Sequence, residues 1–144
     1  MRKIILAGAL ATLASSLIAA PAGASFDRHF TVLSKSTSQQ RVNGNTVRFR
    51  DKLLDPRNRD NRVGSDRGRC RVNLTTGRVK CHAVVRLNGE IGGKGHIRIR
   101  GDLARNDHRL NVVGGDGDFN GIAGKVLFHS LNRRTDRLHF DLTR

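Results

Sequence analysis

The stretch Arg69-Cys70-Arg71-Val72-Asn73-Leu74-Thr75-Thr76-Gly77-Arg78-Val79-Lys80-Cys81-His82-Ala83-Val84-Val85-Arg86-Leu87 decides the fold. In its second half Val79, Cys81, Ala83, Val85 and Leu87 share one parity, and Lys80, His82, Val84 and Arg86 share the other. That period of two is what a strand with one buried face requires. In the first half Cys70, Val72 and Leu74 alternate with Arg69, Arg71 and Asn73, and Thr75-Thr76-Gly77 between the halves is a hairpin turn. A turn centred between Thr75 and Thr76 sets Cys70 opposite Cys81 and Val72 opposite Val79, on the apolar face. A slip of one residue would send one cysteine to the other face, so pattern and cysteines specify the same register. We therefore expect a Cys70–Cys81 disulfide.

Outward from this hairpin the alternation continues. Downstream, strands are expected at Gly95 to Arg100 with Ile97 and Ile99 inward, at Arg109 to Val113 with Leu110 and Val112 inward, and at Asp136 to Thr143 with Leu138, Phe140 and Leu142 inward. Lys125 to Leu131 is a strand whose inward face the pattern leaves open. Asn88-Gly89 is a turn signal leading to a short strand at Glu90-Ile91, and upstream His29 to Lys35 and Thr46 to Arg50 make two more. Residues 56 to 68 carry no apolar pattern and read as a long charged loop. Helical periodicity is absent after residue 25. The fold class is therefore all-β, a small closed antiparallel barrel of about eight strands with one disulfide, since closure removes exposed edges.

The N-terminus reads Met1-Arg2-Lys3, an uncharged apolar run from Ile4 to Ala20, and then Pro21-Ala22-Gly23-Ala24. This is the order of a secretory signal with a small-residue cleavage site. The expected division is a signal peptide over 1–24 and one barrel domain over 25–144, secreted or extracytoplasmic, with no transmembrane segment after cleavage. An oxidising compartment agrees with a disulfide.

Lys and Arg number 27 against 12 Asp and Glu, a net charge of +15, and the chain has six Phe and neither Trp nor Tyr. Such a surface attracts polyanions. Arg57, Arg59, Arg62, Arg67, Arg69 and Arg71 form one basic cluster and Arg133, Arg134 and Arg137 another, with Arg98 and Arg100 on an outward face. Scarce aromatics and no recognised motif argue against sequence-specific nucleic-acid binding. So much positive charge also predicts a monomer, or an oligomer whose assembly depends on salt. Asn73-Leu74-Thr75 is a glycosylation sequon wherever the secretory path glycosylates.

Two stretches carry a resemblance. One is Val63-Gly64, Gly68-x-Cys70, Cys81 and Leu87-x-Gly89-x-Ile91 leading to Gly95; the other is Leu110-x-Val112-Val113-Gly114-Gly115-x-Gly117-x-Phe119-x-x-Ile122-Ala123-Gly124-x-Val126. Together, across residues 47 to 142, the chain resembles the dirigent and allene oxide cyclase barrel superfamily in its small secreted bacterial form. The resemblance implies an eight-stranded barrel holding a hydrophobic small molecule and needing no metal or organic cofactor. In plant members the cavity steers cyclisation of an oxylipin epoxide or coupling of phenoxy radicals. If the chain is an enzyme, a cofactor-free cyclase- or isomerase-like activity follows. The cavity would be lined by Val72, Val79, Ala83, Val85, Ile97, Ile99, Leu110, Val112, Leu138 and Phe140. Gly114, Gly115, Gly117 and Gly124 would turn the chain, and Phe119 would cap one barrel end. Gly-Gly-Asp-Gly-Asp also fits a calcium-binding repeat, but it is not repeated and Phe119 stands where a second ligand belongs.

Candidates for chemistry are few. Glu90, the only glutamate, is a possible acid; His129 lies inward if the Leu127-His129-Leu131 face does; Asp55, beside Leu53-Leu54, is a candidate for the acidic position that the resemblance implies early in the barrel, though the carry-over of the family's residues stops at fold and pocket type. His82, His96 and His139 take outward parity. No His or Cys pair has metal-ligand spacing, and no nucleophile elbow or phosphate loop is present. A non-catalytic basic protein binding acidic cell-envelope polymers is the alternative reading.

Overall fold

A computed structural model describes residues 28–103 and 108–144; the expected signal peptide lies outside them. Eight antiparallel strands follow one another around a closed barrel: β1 Arg28–Val42, β2 Thr46–Leu54, β3 Arg62–Val72, β4 Val79–Asn88, β5 Lys94–Leu103, β6 Arg109–Gly115, β7 Ala123–Asn132 and β8 Thr135–Thr143, with β8 returning to pair with β1. Among the described residues no helix is long and apolar enough to cross a membrane.

The β3–β4 register is the expected one, with Cys70 opposite Cys81 and Val72 opposite Val79, and the disulfide is formed. The turn is wider than expected. β3 ends at Val72, Asn73 Oδ1 accepts from the Thr75 and Thr76 amides, and Leu74 is 80% exposed. The bridge closes a short segment, with the cysteines 11 apart in sequence. Replacing both by serine is expected to cost about 3 kcal/mol of stability. Urea unfolding of oxidised and variant protein checks this.

Inward positions pack into one core. Val85, Ile97, Val126, Leu138, Phe140 and Leu142 are almost wholly buried, while Val72, Val79 and Ala83 are half-buried. Phe119 sits in a single 3-10 turn, Gly117–Phe119, fully buried with its ring 6.4 Å from that of Phe30, which stacks on Phe140 at 4.7 Å. Phe119 thus packs into the core from the turn between β6 and β7. At Gly124 a Cβ would lie 2.0 Å from the Asp141 carbonyl oxygen and φ is +141°, so only glycine lets β7 approach β8 there.

Two expectations need correction, and the face of β7, left open by the pattern, is settled. The charged stretch 56–68 is mostly strand, because β3 begins at Arg62; its inward positions Gly64, Asp66 and Gly68 carry no apolar signal. Glu90-Ile91 is a bend, since Gly89, Gly92 and Gly93 take positive φ there. On β7 the inward face is Val126, Phe128 and Ser130, opposite Phe140, Leu138 and Asp136. Leu127 and Leu131 are exposed.

Candidate functional site

The barrel interior is not uniformly apolar. Across the sheet Ser36 faces Asp51, Asp51 faces Asp66, Asp66 faces Val85, and Val85 faces Ile97. Two carboxylates therefore stand side by side on inward positions. Ser34, one inward position along β1, is buried and offers its hydroxyl to Asp51 Oδ2 at 3.0 Å and to Asp66 Oδ2 at 3.4 Å. One hydroxyl has one proton, so it cannot donate fully to both. Asp51 Oδ1 and Asp66 Oδ1 are buried with no protein partner. Asp136 faces Ser34 across the β1–β8 ladder and adds a third negative group near the pair.

Burial, then the Asp51 charge, pushes the Asp66 carboxyl up to about 7, against the Ser34 hydrogen bond. Burial raises Asp51 too, opposed chiefly by the Ser34 hydrogen bond. Two like charges this close do not both ionise readily, so the pair shares one proton near neutrality. We assign that proton to Asp66, the more buried member. The arrangement can lend a proton from one carboxyl and accept one at the other.

The sequence candidates lie elsewhere. Glu90 is exposed and accepts hydrogen bonds from Asn88 Nδ2 and from the Asn61 side chain at 2.5 Å, which ties two loops together. His129 is exposed and faces Arg137, outward because β7 buries the other parity. Asp55 Oδ1 accepts from the Arg57 amide in the β2–β3 loop. None of these three reaches the interior pair. The repeat-like aspartates hold β5: Asp116 Oδ1 accepts from the His96 amide at 2.9 Å and from its ring Nδ1 at 2.8 Å, and Asp118 Oδ2 accepts from the Lys94 amide. The His96 hydrogen bond holds the Asp116 carboxyl below its usual range.

A closed eight-stranded barrel with two facing aspartates among its inward positions is what the fold and the site define. No family model matches the chain, and no curated protein matches it. Among solved structures it is similar to a pyocyanin demethylase, 17% identical, with a TM-score of 0.63 over 80% of this chain and 99% of that one. It is also similar to a pterocarpan synthase dirigent protein, 13% identical, TM-score 0.59, over 82% and 94%. A third is a Diels-Alderase from Streptomyces koyangensis, 12% identical, TM-score 0.62, over 85% and 70%. The fold is that of the dirigent and cyclase barrels; at these identities the likeness is one of fold.

Proposed function

We propose that this is an exported barrel that binds a hydrophobic small molecule in its interior and guides cyclisation or coupling, with the Asp51–Asp66 pair as its polar element. The single observation that carries the reading is that pair: two register-opposed inward carboxylates, Asp66 buried and Asp51 half-buried, each with a buried oxygen that has no protein partner, beside a largely apolar core. Protonated Asp66 donates to an oxygen of the bound molecule as charge builds there, and ionised Asp51 takes a proton from a neighbouring position. The proton lent is returned, so an isomerising ring closure needs no oxidant. The apolar wall supplies the folded shape of the reactive species. The barrels it resembles are, by name, a pyocyanin demethylase, a pterocarpan synthase dirigent protein and a Diels-Alderase, which agrees with a small organic molecule as partner.

Titration with an environment-sensitive apolar dye and a fatty-acid competitor tests this. Binding is expected to be saturable, competed and independent of salt. It should also be tighter below about pH 7 than above, because an apolar guest favours the singly protonated pair, with one negative charge, over the doubly ionised one. Asp66→Asn removes that pH dependence. Absence of competed binding at any pH would sink the reading.

The second reading, a basic protein held on acidic polymers, is favoured by a different observation. A groove of about 760 Å³ on the outer wall includes six arginines and no carboxylate among its lining residues. The two readings use opposite faces of the sheet and are compatible.

A further inference from the structure

The register converts scattered arginines into a pattern. On the outward parity Arg48 faces Arg69, Arg69 faces His82, and His82 faces Arg100. One step along the strands, Arg50 faces Arg67, Arg67 faces Val84, and Val84 faces Arg98. Two parallel basic rows thus cross β2–β5, separated by the inward row Phe49, Gly68, Ala83 and Ile99. None of the six arginines pairs with a carboxylate among the described residues. Like charges directly opposite one another destabilise a sheet, and here Arg48 opposes Arg69, Arg50 opposes Arg67, and Arg71 opposes Lys80. The field is strong enough to reach His82, whose ring is held below the usual range by burial and then by Arg100, Arg69 and Lys80, against Asp102. A surface needing only solubility would scatter its charges and intersperse acids.

We propose that the outer face of β2–β5 binds a phosphodiester chain through its backbone. This deepens the polyanion reading and is independent of what the interior holds. Three strand spacings make each row about 14 Å long, too far for one phosphate to bridge, so the ligand is a chain. Arginines two apart on a strand are about 6.8 Å apart, close to the separation of successive phosphates in an extended strand. All six cations of the groove are arginine, whose planar fork matches phosphate oxygens in pairs. Phe49 takes the inward parity and His82 is the one aromatic ring in the two basic rows, so stacking contributes little and the backbone contacts dominate.

The test is fluorescence anisotropy with labelled oligodeoxythymidylate of about 20 nucleotides, between 50 and 200 mM salt. Six contacts to a single strand give a slope of log K on log salt near −4, roughly a 300-fold loss across that range. Arg67→Thr with Arg69→Thr is expected to flatten the slope by about 1.4. The same double variant should raise Tm by a few degrees, since it removes two opposed like-charge pairs. Arg133→Thr with Arg134→Thr, in the β7–β8 turn, should change neither. No binding by the parent protein at 50 mM salt overturns this proposal, while binding of labelled polygalacturonate under the same conditions would leave the acidic-polymer reading standing. Equal losses in the two double variants overturn the assigned face alone. Stronger competition by polygalacturonate or by phosphatidylglycerol vesicles at matched charge overturns the choice of phosphodiester.

Discussion

Phe119→Ala is expected to destabilise the barrel by about 3–5 kcal/mol, a large part of the stability a domain of this size possesses. The ring is fully buried, packs at 6.4 Å from Phe30, and has the Arg28 guanidinium 5.9 Å from its centroid. The site cannot collapse to fill the void. A Cβ at Gly115 would already stand 2.7 Å from that of Phe119, and Phe30 is held from the other side by its stacking on Phe140. A cavity therefore remains, and the cost approaches the upper part of the range. Urea unfolding should show a lower midpoint with an unchanged slope. If Phe119 plugs the barrel end, the on-rate of an apolar dye should also rise in the variant. A loss below about 1 kcal/mol would mean that the 3-10 turn repacks and that Phe119 is not the plug.

The sharp turn after β6 was legible because a Gly-Gly-x-Gly-x-Phe sequence is unusual and its backbone demands are severe, with Gly114 and Gly117 at positive φ. The β3–β4 hairpin was legible because alternation and two cysteines agreed on one register. The interior carboxylates were missed for a single physical reason: expectation of a strand rested on apolar alternation, and β3 puts Gly64, Asp66 and Gly68 on its inward face. A subtler signal was present. Arg67, Arg69 and Arg71 alternate with Asp66, Gly68 and Cys70, so a charged period of two extends the cysteine strand upstream. Likewise Val47-x-Phe49-x-Asp51-x-Leu53 alternates, which places Asp51 on the inward parity. For β7 two apolar parities competed, and only the pairing of Val126 with Phe140 and Leu110 decides between them. His129 followed the wrong one. Parity alone cannot choose between two faces that both contain leucine or valine; a partner strand can.

Between about pH 4 and pH 7 this protein is expected to lose stability as pH rises, the reverse of the usual behaviour of a carboxylate-bearing domain. The sign follows from Asp66. Its folded carboxyl titrates at about 7, whereas in the unfolded chain an aspartate titrates near 3.9. Through the interval the folded state holds a proton that the unfolded state has released, so stability is fully present below the unfolded value and drains away as pH climbs to the folded one. Above that point both states are ionised and the curve flattens. The total is on the order of a few kcal/mol, shared with Asp51, whose carboxyl burial also raises. Asp66→Asn keeps the shape, removes the charge and supplies an amide that can donate to Asp51. It should flatten the curve and leave the variant more stable than the parent at pH 8. The difference between the two curves isolates the pair from the chain's +15 charge, which acts on both proteins alike. Asp51→Asn gives the complementary case: with its charged neighbour gone Asp66 titrates lower, yet still above an ordinary aspartate, because burial is the larger cause. Parallel curves for parent and Asp66→Asn would show that the pair carries no shared proton, and the acid-base role proposed for it would fall with that result.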